Sequence, residues 1–280
     1  MHFVRKTALA DPGYIRTADH VRLFYRDWGT GQPVVFLAGW TLSSDMWAYQ
    51  MAPLVEAGCR CIAYDRRSHG RSSDPGRGYD FDTLADDLAA VLEALDLQNV
   101  TLVGHSFASG EMVRILTRHG RRRIARLVFV APAATPFPRK TADNPSGIDG
   151  ALFEQVRAAI ARSLPDWAEA NAVPYFTPGT SRAIFDWTLR MMSQTSHYAA
   201  LEMNRHGTST DFRRELAEVK VPSLVLHGDR DASAPLEMTG RPTAALIPGA
   251  RLKVYEGAPH GLYFTHAAEV NRDILAFAQG

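Results

Sequence analysis

Only two cysteines, Cys59 and Cys61, occur among the 280 residues. They alternate along an apparent strand and so share a face, yet lie too close in sequence for a mutual disulfide. That excludes a disulfide-stapled secreted fold and predicts two small core residues in a reducing compartment. Charge of one sign is also missing: 31 Lys and Arg against 30 Asp and Glu leave a formal charge of +1. No field argues for nucleic acid or an acidic polymer as partner. The one basic run, Arg121-Arg122-Arg123, follows His119-Gly120 at an expected helix end, where cations complement the helix dipole. No apolar run reaches the roughly 18 residues of a membrane span. Met1 to Gly13 carries Arg5 and Lys6 without the apolar core of a secretion leader, so a cytoplasmic protein is expected. His197 and His206 are too far apart for adjacent helical turns, and no other histidines have metal-ligand spacing, so no metal is expected. Gly29-Thr30-Gly31 precedes a strand and lacks a third glycine, which removes a dinucleotide site. No repeat or low-complexity tract is present.

What is present is apolar. With 46% hydrophobic residues the chain can bury one large core, and its length suits one domain carrying an insertion. Tyr14 to Thr17 and Val21 to Trp28 flank Ala18-Asp19-His20, which predicts an antiparallel hairpin. Six short apolar runs follow: 33–38, 59–64, 100–103, 127–130, 223–226 and 252–255. They read as strands of a parallel sheet buried on both faces. Helical spacing lies between them, clearest over Phe81 to Leu95, where Leu84, Leu88, Val91, Leu92 and Leu95 share a face and Asp80 or Asp82 can cap the start. The alternation predicts a wound α/β fold with a mostly parallel eight-stranded sheet. It breaks between Pro132 and Val221, where prolines precede four expected helices: 152–163, 167–172, 181–192 and 198–205. The expected division is a core of 1–134 with 216–280 and a helical cap of 135–215 lying over the strand ends.

One strand leads into Gly104-His105-Ser106-Phe107-Ala108 and then directly into a helix. A sharp strand-to-helix turn of this kind exposes a serine as a nucleophile, provided that the residues two before and two after it are small, as Gly104 and Ala108 are. A serine hydroxyl needs a base, and the helix N-terminus beside it favours developing negative charge. His260 follows the last strand, in Glu256-Gly257-Ala258-Pro259-His260-Gly261-Leu262, where the order serine, acid, histidine places the base. The acid that fixes the histidine tautomer should follow the preceding strand. Asp229 and Asp231 compete there; Asp231 is preferred for the proline four residues on, leaving Asp229 as a turn residue bonded to Arg230 or to loop backbone. The expected oxyanion donors are the backbone N–H groups of Phe107 and of Trp40, in the loop after an early strand. Asp65 to Ser72 contains an acid, three arginines and His69; it reads as structural, with Asp65 and Arg66 satisfying turn backbone and each other.

The segments 38–43, 64–72, 96–106 and 256–262 together resemble the cofactor-free bacterial haloperoxidase, perhydrolase and arylesterase branch of the α/β hydrolases. The resemblance implies the α/β-hydrolase fold, the triad Ser106, Asp231 and His260, no cofactor, and a side reaction in which hydrogen peroxide replaces water. It departs from the branch at Ala38, where a histidine is usual, and at Phe107-Ala108-Ser109, which replace a methionine and glycines. Serine at the turn excludes the dehalogenase and epoxide hydrolase patterns, which need an aspartate there.

The expected activity is hydrolysis of a small apolar carboxylic ester or lactone through an acyl-enzyme on Ser106. Cleavage of an amide or carbon-carbon bond by the same residues is the alternative, and a ligand receptor on this scaffold the rival from another class. Aromatic residues expected to supply the substrate surface are Trp40, Phe107, Phe137, Tyr175, Phe185 and Trp187, with Phe176 and Tyr198 beside them. Homo-oligomerisation is left open.

Overall fold

The computed structural model describes residues 13–280; the segment 1–12, with the Arg5 and Lys6 considered for a leader, lies outside the described residues. The apolar runs form strands as expected. A short hairpin, β1 (Tyr14–Arg16) and β2 (Arg22–Trp28), precedes β3 (Gln32–Leu37), β4 (Cys59–Tyr64), β5 (Val100–His105), β6 (Ile124–Val130), β7 (Ser223–Gly228) and β8 (Arg251–Tyr255). They make one eight-stranded sheet in the order β1-β2-β4-β3-β5-β6-β7-β8. β1 with β2 and β2 with β4 are antiparallel, and every later pair is parallel.

Side chains alternate across the sheet as the period of two requires. Val35 and Leu37 of β3 enter one core layer, while Val34 and Phe36 enter the other with Cys59 and Cys61. Both thiols are free and buried, and burial pushes that of Cys61 up to about 12. Helices α2 (Phe81–Ala94) and α3 (Ala108–His119) cover the first face; α1 (Ala48–Glu56) and α11 (Ala267–Gln279) cover the second. Asp80, not Asp82, caps α2, accepting from the Thr83 N–H at 2.9 Å. Gly120, at φ 74°, ends α3.

Between β6 and β7 lie α4 (Gly150–Arg162), α5 (Leu164–Tyr175), α6 (Arg182–Met192) and α7 (His197–Ser209). The short α8 (Arg213–Ala217) also precedes β7, α9 (Gly240–Leu246) precedes β8, α10 (Leu262–Thr265) precedes α11, and a 3-10 turn at Ser44–Trp47 leads into α1. No helix among the described residues is long and apolar enough to cross a membrane.

The topology locates the site. β3 runs beside β4 on one side and β5 on the other, so the chain reverses its direction of winding there, with Leu37 level with Gly104. Loops leaving neighbouring strands at such a switch point diverge and open a crevice at their carboxyl ends. The Trp40 loop leaves β3 and Ser106 leaves β5 at this place.

Candidate active site

Ser106 sits between β5 and α3 with φ 56°, a left-handed conformation costing a non-glycine residue about 1 kcal/mol or more. Surrounding bonds hold it there. Its N–H donates to Val130 O at 3.0 Å, and its carbonyl accepts from Ala133 N–H at 3.2 Å and from the Ser109 hydroxyl at 2.8 Å. Ser109, one of the departures from the usual motif, thus braces the turn. A Cβ on Gly104 would stand 2.8 Å from Met112 Sδ and 3.1 Å from the Ala108 Cβ, which is why both positions flanking the serine are small.

The structure brings the three separated motif residues together. The Ser106 hydroxyl donates to His260 Nε2 at 2.9 Å, and His260 Nδ1–H donates to Asp231 Oδ2 at 2.7 Å. Asp231 Oδ1 accepts from the N–H groups of Ser233 and Ala234 at 2.9 and 2.7 Å. Burial opposes ionisation of Asp231, but His260 beside it, together with hydrogen bonds from His227, His260 and the Ala234 amide, holds its carboxyl well below the usual carboxylate range. His227, which the sequence reading passed over, places Nε2 2.8 Å from Ala234 O and 3.2 Å from Asp231 Oδ2. Asp229 turns away: its Oδ1 accepts the Gly257 N–H at 2.7 Å, tying the loop after β7 to the loop after β8. That is the loop-backbone bond expected of it; the sequence held no signal for which loop.

His105 supports the histidine loop from beneath. Its Nε2–H donates to His260 O at 3.1 Å, and its other ring nitrogen is buried without a partner. Burial, reinforced by the neighbouring His260, pushes His105 well below the ordinary histidine range, so it is a neutral donor. His69 is also buried and donates from Nδ1 to Arg67 O at 2.8 Å; burial and the Arg66 charge push it down to about 3. It does not touch Ser106, Asp231 or His260.

The loop after β3 is held by a residue assigned otherwise from sequence. Arg66 does not pair with Asp65. Its guanidinium, 2% exposed, donates to the carbonyls of Ala38 at 2.6 Å and Gly39 at 3.2 Å, and pairs with the fully buried Glu111 of α3 at 2.6 Å. Asp65 instead accepts the N–H groups of Ser44 and Arg71 at 2.8 and 2.9 Å. Gly39 O belongs to the peptide whose N–H is that of Trp40, so Arg66 orients and polarises that peptide plane. Neither the Trp40 nor the Phe107 N–H meets an acceptor among the described residues. A side chain at Gly39 would strike the His105 ring, its Cβ 2.6 Å from Nδ1. A buried acid on the packed face of α3 was the available signal for Arg66, because such a charge requires a partner.

A family model described as alpha/beta hydrolase fold matches residues 32–267. A non-heme chloroperoxidase of Kitasatospora aureofaciens is 40% identical over 272 residues, covering 93% of this chain and 97% of that protein. A bifunctional esterase/perhydrolase of Acinetobacter calcoaceticus is 36% identical, covering 95% and 99%. The chain belongs to the α/β-hydrolase fold family, in its non-heme haloperoxidase branch. Among solved structures, a bromoperoxidase from Bacillus anthracis superposes with a TM-score of 0.91 at 36% identity, covering 95% of this chain and 99% of that one.

In this hydrolase a cavity of about 560 Å³ opens onto Ser106 and His260. Trp40, Phe107, Phe137, Tyr175 and Phe185 line it, with Phe176. Trp187 does not, contrary to expectation: residues two apart on a helix point about 200° from each other, so with Phe185 inward Trp187 packs edge-on against Tyr49, centroids 5.9 Å apart. Tyr198 is likewise outside, against Tyr79 and 55% exposed. The Phe107 ring is fixed by stacking on Phe81 at 4.8 Å, with the Arg66 guanidinium 5.5 Å from its centroid. Among the described residues no three His, Cys, Asp or Glu side chains are grouped to hold a metal ion.

Proposed function

We propose that this α/β hydrolase cleaves small, largely apolar carboxylic esters or lactones, with Ser106 as nucleophile, His260 as base and then acid, and Asp231 orienting His260. The observation that carries the reading is the continuous relay Ser106 Oγ to His260 Nε2 to Asp231 Oδ2, at 2.9 and 2.7 Å, opening on a cavity walled by aromatic side chains. His260 takes the hydroxyl proton as Ser106 Oγ attacks the substrate carbonyl. The resulting oxyanion is stabilised by the free N–H groups of Trp40 and Phe107, and collapse expels the alcohol, which receives its proton from His260. Water, deprotonated by His260, then releases the acid. Hydrogen peroxide in the same position releases a peracid, an extension supported by the bifunctional esterase/perhydrolase relative. Residues 135–215 act as a cap whose aromatic side chains select the substrate, and the largely apolar lining disfavours anionic acyl groups.

The test is turnover of matched aryl ester, anilide and diketone substrates, with peracid formation measured after adding peroxide. Ester hydrolysis with little anilide or diketone cleavage is expected. Preferential cleavage of anilide or diketone, or equal turnover of a strongly anionic ester, would overturn the assignment.

A further inference from the structure

The cavity wall contributed by α7 carries a polar group that the proposed chemistry does not use. Ala200 O accepts the Trp40 indole N–H at 2.9 Å, and a Cβ on Gly207 would stand 3.0 Å from the Phe107 ring. The helix therefore spans the side chains of both residues whose N–H groups face the reacting carbonyl. Asn204 lies between those two contacts, four residues after Ala200 and three before Gly207, on the same helix face and lining the cavity.

Its carboxamide orientation is fixed. Arg157 of α4, itself nearly buried, donates from Nη1 to Asn204 Oδ1 at 3.3 Å and to Thr208 Oγ1 at 2.9 Å, while Nη2 pairs with Glu154. A guanidinium has donors only, so the oxygen of Asn204 must face it and the NH2 group must face away. That NH2 meets no acceptor among the described residues. Three other polar side chains of the lining are already committed: Thr188 to Ile184 O at 2.9 Å, Thr208 to Asn204 O at 2.9 Å and Thr239 to Ala234 O at 3.1 Å.

We infer that Asn204 is a specificity residue that donates its Nδ2–H to a second acceptor oxygen on the substrate, close to the scissile carbonyl, selecting esters or lactones functionalised there over plain alkyl ones. The inference rests on the ester or lactone reading above. An alkyl acyl chain expels water from the wall and leaves the amide N–H unpaired, whereas a chain carrying a carbonyl at that point replaces the lost water bond. Arg157 is the positioning residue, since it decides which end of the amide faces the substrate.

The experiment compares an aryl hexanoate with its oxo derivatives, in which one chain methylene becomes a carbonyl, by kcat/KM in the intact protein. Intrinsic reactivity cancels when the oxo-to-alkyl ratio of each variant is divided by that of the wild type. Asn204→Leu is expected to lower the ratio for at least one oxo ester by about tenfold, the loss of one hydrogen bond. Asn204→Asp keeps the shape and the Arg157 partner while removing the donor, so it lowers the same ratio even if the leucine variant folds poorly. Arg157→Met lowers it less, because the amide regains the freedom to flip. Unchanged ratios in both Asn204 variants, or equal slowing of alkyl and oxo esters, overturn the inference while leaving ester hydrolysis standing. Wild-type protein that hydrolyses neither ester overturns the functional reading itself.

Discussion

Asp231→Asn is the substitution whose outcome the geometry determines most fully. Asp231 Oδ1 accepts two backbone N–H groups, from Ser233 and Ala234. An asparagine NH2 placed there would face two donors, so its oxygen must take that position and its NH2 the position of Oδ2. At that point it faces His260 Nδ1, now 2.7 Å from a carboxylate oxygen. The ring can answer only by accepting at Nδ1 and carrying its proton on Nε2, where Ser106 needs a vacant base. The wrong tautomer in a serine protease triad lowers kcat by about 10⁴, which corresponds to about 5 kcal/mol of barrier, and a loss of that order is expected here. The same NH2 also meets His227 Nε2, 3.2 Å from the present oxygen, so stability falls as well. Because the folded carboxyl of Asp231 is held below its unfolded value, its contribution to stability is present above about pH 4 and is lost as pH falls through the folded value. The gap in melting temperature between wild type and Asp231→Asn should therefore narrow in acid. Steady-state kinetics on an aryl ester, with thermal unfolding from neutral to acid pH, reads both. Asp229→Asn, which disturbs only a bond to Gly257 N–H, should stay within a few fold of wild-type kcat. Refutation would be an Asp231→Asn enzyme within tenfold of wild type, or Asp229→Asn the more damaged of the two.

Other residues make independent demands. Arg66→Met leaves the Glu111 carboxylate buried without its cation and releases the Ala38 and Gly39 carbonyls; about 3–5 kcal/mol of stability should be lost in denaturant titration. In the fraction that folds, kcat should fall more than KM rises, since the Trp40 peptide is no longer held. Cys59 and Cys61 should resist alkylation in the native protein and react together once it is unfolded, because burial raises both thiols; rapid native labelling would contradict the packing described.

The sheet was legible because β3 to β7 are largely apolar on both faces and separated by helical spacing; β8, expected to be buried on both faces, is instead an edge strand that exposes Arg251, Lys253 and Val254. The short helices α8, α9 and α10 were not legible, since each is too brief for a periodic face to develop and α9 carries Pro242 in its first turn. Ser106 and His260, which the structure places in hydrogen-bond contact, stood out as candidates because a turn that needs small neighbours and a loop after the last strand leave marks in sequence. Choosing between Asp229 and Asp231 was harder: both follow β7 within three residues, and only the direction of each side chain separates them. Arg66 was misassigned for a related reason. Its partners, Glu111 and the loop after β3, lie far along the chain, whereas Asp65 is adjacent in sequence but turned elsewhere. Trp187 and Tyr198 illustrate the limit for cavities, where aromatic composition identifies a wall and helix phase decides which rings belong to it.

The measurement that bears most directly on the account is labelling of the native protein with an aryl organophosphonate, followed by peptide mass spectrometry and residual esterase activity. One adduct per chain is expected, on Ser106, with activity lost in proportion, and neither label nor turnover in Ser106→Ala. Ester hydrolysis retained by Ser106→Ala, or an adduct on another residue that tracks the loss of activity, would contradict it.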